Sequence, residues 1–561
     1  MFLIFFFLTV VFPTNAFPFN PYLSTRVLKQ IPFYPEASNR PGSPFLKGVF
    51  QLLGQASDRD NEVVFKVSGT EELDLNTWLT WQSNQSFFLM LENIGGVSTN
   101  LLESEVKDGM IIASQSRVYP NYFFNWIRDS ALTVRSLLCK LKDTPEQEVS
   151  KLKAVIESYI EASYHLQREP NRSGKFDDSK RSGLGEPKFE PNGNSFLEKW
   201  GRPQSDGPAL RISTITSYID YLESSEQSID SSFLGNASNI YHRIIKPDLE
   251  YVMQNWEYSS FDLWEEVKST HFFNALVQLR CLKDGMRLAR SFDTSPTFLI
   301  LLKEHFENLN SFILDSDTGF RSKRATYIVE TPSLFHQKIR SGLDSATLLA
   351  SLYAHDTDPG DAIEIPFDVD DSHILNTFYY MVTDMKVRYP VNHKYIGKPP
   401  VFGVGLGRYP EDVYDGYATT EGNPWFICTA SASEVLYKLV YKRIKEKSAI
   451  EISAETKEFY SLFVDDLLDE KSLSEGPLRI IYGSERYKKT MKNIFTYSDT
   501  FMEVIRDHID SDGHMSEQFN RNTGYMQGAK DLTWSYSSFY DSVRWRTKAQ
   551  EKINYILSNE M

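Results

Sequence analysis

Three cysteines in 561 residues are too few for a disulfide scaffold; Cys139, Cys281 and Cys428 allow at most one internal bridge. Each lies in an apolar stretch that reads as helix, so buried free thiols are the expectation. Basic residues are also short: 60 Lys and Arg stand against 75 Asp and Glu, a formal charge of −15. That balance argues against nucleic acid, whose phosphates demand a basic surface, and suits a neutral ligand in a soluble protein. Beyond the N-terminus no run is long and apolar enough to span a bilayer. No Cys/His group has zinc spacing, His271, His336, His355 and His373 included. No glycine loop is built to cradle phosphate. Neither a metal nor an organic cofactor is expected.

What is abundant is aromatic. Tyr, Phe and Trp make up 14% of the chain, more than packing needs, and sugar sites use aromatic faces against pyranose C–H groups. Most aromatics are core residues all the same. Met1 to Phe12 is almost wholly apolar and is followed by Pro13-Thr14-Asn15-Ala16. It reads as a signal peptide over residues 1–16, although the usual basic residue at its start is missing. Asn84, Asn171 and Asn236 each begin an Asn-X-Ser acceptor for glycosylation. Prolines 18, 21, 32, 35, 41 and 44 mark an extended lead-in. The strand-like runs 49–53 and 63–67 extend it into a small β-rich segment, 17–75.

From residue 76 to 561 the pattern is helical. Ile127, Ala131, Val134, Leu138 and Leu141 form one apolar stripe; Leu152, Val155, Ile156, Tyr159 and Ile160 form another. Phe272, Ala275, Leu276 and Leu279 form a third, and Ile374, Leu375, Phe378, Met381, Val382 and Met385 a fourth. Between stripes lie long polar stretches, including 168–211, 386–426 and 510–531. Loops of that length in a compact domain usually carry function. Periodicity alone leaves a ring, a bundle and a solenoid of helices open.

Phe261-Asp262-Leu263-Trp264-Glu265-Glu266 is the stretch that invites chemistry. Adjacent side chains point apart, by about 100° on a helix or 180° on a strand. Glu265 and Glu266 therefore cannot both aim at one reacting atom; in a site, one would react and the other position. Trp264 would supply apolar surface that raises a neighbouring carboxyl's pKa, as a general acid requires. The competing reading is a solvated acidic turn.

Further motifs decide between them. They are Tyr122-Phe123-Phe124-Asn125-Trp126-Ile127-Arg128-Asp129, Gly183-Leu184-Gly185-Glu186-Pro187-Lys188-Phe189 and Trp200-Gly201-Arg202-Pro203-Gln204 with Asp206 to Arg211. Gly407-Arg408-Tyr409-Pro410-Glu411-Asp412-Val413-Tyr414, Gly422-Asn423-Pro424-Trp425, Ser516-Glu517-Gln518 and Leu532-Thr533-Trp534 follow. In content and order they resemble the fungal, yeast-type glucoamylases of glycoside hydrolase family fifteen, from about Trp78 to near the C-terminus.

The resemblance implies an (α/α)6 barrel of helical hairpins. It implies an inverting, exo-acting hydrolase that releases β-D-glucose from the non-reducing ends of starch, maltodextrin or glycogen. Glu265 would be the general acid and Glu517 the base, with Asp262 and Glu266 tuning the acid. Arg128 and Asp129 would hold hydroxyls of the terminal glucose, and Arg408 a hydroxyl near the scissile bond. Tyr122, Trp126, Trp200, Arg202, Trp264, Trp425 and Trp534 would line the sugar path, Trp534 more surely than Trp425. Each has a plainer reading: Arg128-Asp129 as a helix-start ion pair, Trp200 with Arg202 as a core plug, Arg408 as a partner of Glu411 or Asp412. Nothing resembles a separate starch-binding domain, and a monomer is expected. The leader implies secretion, with vacuole or cell wall as alternatives. An isomaltose- or trehalose-type hydrolase and a non-catalytic sugar-binding relative are the competing functions. Three departures stand out: Ser260 and Ser269 where the family usually has glycine, and Phe124 where it usually has Tyr. The serines predict a different path for the acidic loop.

Overall fold

The computed structural model describes residues 73–98, 101, 105–144, 149–355, 364–397, 401–464, 467 and 476–558. The expected leader and nearly all of segment 17–75 lie outside these residues. Among the described residues, twelve helices run ten residues or longer. In chain order they are α1 (Leu75–Leu91), α2 (Ile127–Lys142), α3 (Val149–Arg168), α4 (Asp206–Ser224), α5 (Lys246–Asn255) and α6 (Phe272–Phe292). Then come α7 (Pro296–Leu314), α8 (Ser345–Ala354), α9 (Ser372–Arg388), α10 (Phe426–Lys445), α11 (Glu485–Arg506) and α12 (Thr533–Ser558).

Odd and even helices occupy different layers. Each even helix packs on the next even one, and α12 returns to pack on α2, closing an inner ring of six. The odd helices lie outside it: α3 on α2, α5 on α4, α7 on α6, α9 on α8, α11 on α10, and α1 on α12. This is the (α/α)6 barrel. Its layers explain the sequence pattern, because a helix enclosed on all sides is buried all round and an outer helix only along one stripe. In α8, nine of ten residues are buried, whereas α7 buries only Phe298, Leu302, Phe306, Leu309 and Ile313. The four stripes predicted above fall in α2, α3, α6 and α9 and are buried. Serines in the inner ring bond their own helix: Ser431 and Ser433 donate to the Cys428 and Ala430 carbonyls, 2.8 and 2.9 Å away.

Connections from an outer to an inner helix occupy 92–126, 169–205, 256–271, 315–344, 389–425 and 507–532. They include three of the four two-stranded ladders among the described residues: β1 (Asn125–Trp126) with β2 (Lys188–Phe189), β3 (Ser260–Phe261) with β4 (Lys268–Ser269), and β7 (Gln518–Phe519) with β8 (Met526–Gln527); the fourth, β5 (Ile450–Ile452) with β6 (Leu478–Ile480), falls between α10 and α11. Backbone bonds join these connections around the ring. Phe261 N–H donates to Pro203 O at 2.9 Å, Phe272 to Glu330 at 3.0 Å, Ser345 to Arg408 at 2.8 Å and Thr533 to Ala113 at 2.9 Å. The inner helices therefore begin at one end, and their aligned dipoles give that end a positive field.

None of the three cysteines is in a disulfide; Cys281 and Cys428 are buried and Cys139 half-buried. Of the three acceptor asparagines only Asn236 is exposed. Asn84 lies within α1, and the Asn171 amide donates to the carbonyls of Glu169 and Gly183. Among the described residues no helix is long and apolar enough to cross a membrane, and no cluster of metal ligands is present.

Candidate active site

The acidic stretch is the tip of the β3–β4 hairpin. Asp262 O accepts the Glu265 N–H at 2.9 Å, and Asp262 N–H donates to Val267 O at 3.1 Å. Asp262 Oδ1 accepts the amides of Glu266 and Val267 at 2.8 and 2.7 Å, so this side chain is spent on shaping the turn; burial raises its pKa. Glu265 is left with φ of 65°, a region a non-glycine residue enters at a cost of order 1–3 kcal/mol and often at functional sites. Ser260 and Ser269 face each other as a register pair in extended strand, where glycine is not needed.

Glu265 and Glu266 point to different partners, as adjacency requires. Glu265 Oε1 accepts the indole N–H of Trp126 at 2.7 Å and the Gln204 amide at 2.8 Å, with Arg128 Nη2 3.8 Å away. Among the described residues no hydrogen bond or ion pair falls on Oε2, and 17% of the side chain is exposed. Glu266 Oε1 accepts from Arg408 at 2.7 Å, and its Oε2 from Arg340 at 2.8 Å and from the Tyr409 hydroxyl. Burial pushes Glu266 up, but Arg408, Tyr409 and Arg340 outweigh it and hold the carboxyl below its ordinary value.

Glu517 sits on a different connection, just before β7, with 1% of its surface exposed. Its Oε1 accepts the Tyr122 hydroxyl at 3.0 Å, and Oε2 accepts Tyr414 at 3.4 Å and Gln518 at 3.3 Å. Burial pushes Glu517 up to about 8, against the pull of the Tyr122 bond and the Arg408 charge. The Trp264 ring, expected to supply apolar surface beside the acid, has aromatic partners of its own. That ring packs on Trp425 at 5.5 Å and Trp534 at 6.4 Å, and its N–H donates to Asp344 at 2.9 Å. The deeper burial falls on Glu517, because the β7–β8 hairpin closes over it while Glu265 stands at a hairpin tip.

Arg128 and Asp129 open α2 and are both buried. Arg128 Nη1 donates to Gln204 and to Asp206, both at 3.0 Å. Its Nε lies 3.4 Å from Asp129 Oδ2, yet neither atom has a hydrogen bond. Burial pushes Asp129 up to about 6, with Arg128 opposing. Such unfilled polar atoms suit sugar hydroxyls. Arg408 uses Nε and Nη2 on Asp412 and Glu266, which leaves Nη1 for a ligand.

Arg202 does not share this availability. Its Nε donates to both Glu186 oxygens at 2.7 and 2.8 Å, and its Nη atoms to the Glu198 and Phe196 carbonyls. Those bonds staple the Trp200 loop. The indole nitrogens of Trp200 and Trp425 have no partner, whereas that of Trp534 donates to Tyr353 at 2.9 Å. Trp534 nevertheless lies beside the site, its ring 5.7 Å from the Arg128 guanidinium and stacked on Trp264. Gln204, Asp206, Tyr409 and Tyr414 belong to the site and went unassigned, although all four lie inside the quoted motifs. Arg340 lies outside every motif, and no sequence signal marks it.

Comparison with known proteins agrees with this geometry. The family described as "Glycosyl hydrolases family 15" matches residues 87–543. A glucoamylase of Saccharomycopsis fibuligera is 40% identical over 497 residues, covering 87% of this chain and 92% of its own. An intracellular, sporulation-specific glucoamylase of Saccharomyces cerevisiae is 35% identical, covering 88% of each. A solved structure of the Saccharomycopsis fibuligera glucoamylase superposes with a TM-score of 0.79 over 85% of this chain and 96% of that one.

Proposed function

Because the chain belongs to family 15 of the glycosyl hydrolases, we propose that it is an exo-acting glucan 1,4-α-glucosidase that releases β-D-glucose from starch, maltodextrin or glycogen. The observation that carries the reading is the pairing of each glutamate with one ring of a single short segment, Tyr122 to Glu517 and Trp126 to Glu265. Anchoring the carboxyls on two separate rings, whose centres are 5.6 Å apart, supports the wide spacing of an inverting pair, about 6.5–9.5 Å, over the closer retaining one.

Glu265, protonated on Oε2, gives its proton to the glycosidic oxygen as the bond to the anomeric carbon breaks. A water attacks that carbon from the opposite face and loses a proton to Glu517. The product is β-glucose, and the two glutamates have exchanged protonation states. Arg128 and Asp129 hold hydroxyls of the terminal ring, Arg408 Nη1 reaches the next sugar, and Trp200, Trp264 and Trp425 supply apolar faces. Glu266 keeps Arg408 in place.

The test is the anomer first seen by NMR when maltose is hydrolysed. β-Glucose is expected, and α-glucose or no hydrolysis would overturn the reading. The protein takes the secretory route as a monomer and carries a glycan at Asn236. Retention of Met1, or a mass unchanged by endoglycosidase, would contradict the route; a mass above one chain in light scattering would contradict the monomer.

A further inference from the structure

Lys188 stands directly across the β1–β2 ladder from Trp126. Its Nζ lies 3.6 Å from the Trp200 ring centre, 4.0 Å from Phe124, 4.2 Å from Phe196 and 4.6 Å from Trp126. The residue is buried, and among the described residues no carboxylate lies within ion-pair distance of it. A buried cation without a carboxylate is costly, and four aromatic faces offset that cost by attracting it electrostatically. Phe124 matters here, since a ring without a hydroxyl offers the ammonium only its π-face. The charged groups facing Lys188 are Glu265, Glu190, Arg202 and Glu198, and burial pushes the amine down to about 8. Glu265 is faced by Lys188, Arg128 and Asp129.

A cation against an indole draws electron density from the ring and makes its N–H a stronger donor, as linked polar groups polarise one another. In Trp126 that N–H holds Glu265 Oε1. We propose that Lys188 is a positioning residue for the general acid: its caged charge strengthens the Trp126–Glu265 hydrogen bond and keeps the transferable proton on Oε2. The proposal rests on the assignment of Glu265 as acid. It makes Lys188 act through the indole, without touching the sugar.

Lys188→Met removes the charge and keeps the length. On maltose kcat should fall about 10- to 100-fold, with KM within about twofold. A weaker bond to the carboxylate leaves it holding its proton longer, so the alkaline limb of kcat/KM should move to higher pH. α-Glucosyl fluoride, whose leaving group needs little acid help, should be hydrolysed nearly as fast as before. Lys188→Arg should restore the limb, and Lys188→Met should add nothing in a Trp126→Phe background. An unmoved limb, equal losses on both substrates, or a loss carried by KM would overturn the proposal. If the Met variant does not fold, Lys188→Gln makes the same comparison; failure of both to fold would make Lys188 a folding residue and also overturn it. A Glu265→Gln enzyme that shows no fluoride preference would instead sink the acid assignment.

Discussion

Tyr122 and Trp126 lie edge to face with ring centres 5.6 Å apart, and each delivers its polar hydrogen to a different glutamate. One turn of chain thus fixes two carboxyls that are 252 positions apart in the sequence. Everything the site is proposed to do depends on that pair of bonds.

Glu265→Gln and Glu517→Gln keep side-chain size and remove proton transfer. Each should lose on the order of 10²–10⁴-fold in kcat on maltose, while sugar binding survives through Arg128, Asp129 and Arg408. Only Glu265→Gln should recover on α-glucosyl fluoride. Equal behaviour of the two variants on both substrates would end the proposed division of labour.

The Tyr122 hydroxyl stabilises ionised Glu517 and so lowers its pKa against the effect of burial. Tyr122→Phe keeps the ring against Trp126 but deletes that bond. The base then takes up its proton at higher pH, and the acidic limb of kcat/KM should move upward. A limb that stays put or moves down would contradict the assignment of Glu517 as the ionised base.

Glu517 should also cost stability. Its pKa is about 8 in the folded protein against an ordinary 4.5, so between those values the folded state binds more protons than the unfolded one. Stability attributable to this group therefore falls as pH rises through that window. Glu517→Gln should melt a few °C higher than wild type at pH 8 and equally at pH 4. Differential scanning calorimetry at the two pH values checks this, and a variant less stable at pH 8 would refute it.

Asp262 shapes the turn, and Asn can accept the same two amides. Asp262→Ala should lower kcat by about tenfold or more through a misplaced Glu265 and cost roughly 1–3 kcal/mol of stability. Asp262→Asn should be milder on both counts. Identical Ala and Asn variants in urea unfolding and kinetics would assign Asp262 some other role.

The helical layers were legible because burial imposes periodicity: the stripe of α9, at Ile374, Phe378, Met381 and Met385, is a direct trace of the face it buries. The divergence of Glu265 and Glu266 was legible for the same kind of reason, being forced by backbone geometry. Closure into a ring was not, since α2 and α12 meet across most of the chain and no local pattern records it. The destination of Arg202 was equally hidden: a motif shows that an arginine is present, not that Glu186 has already claimed it. Lys188 lay in plain view within Gly183 to Phe189, but a lysine among aromatics carries no message until the rings are seen to enclose it.

The ring has an implication for how the protein is made. Helices α1 and α2 are synthesised early, yet α1 and one side of α2 pack on α12, at residues 533–558. A chain leaving the ribosome can stack its hairpins one by one, but the seam stays open until the last hairpin arrives. That seam exposes apolar faces of α1, α2 and α10 in the interval, when such surface is prone to misassembly. Glu517 lies just ahead of that closing helix, so the second glutamate is among the last parts of the site to be made, and its surroundings are completed only when the circle shuts.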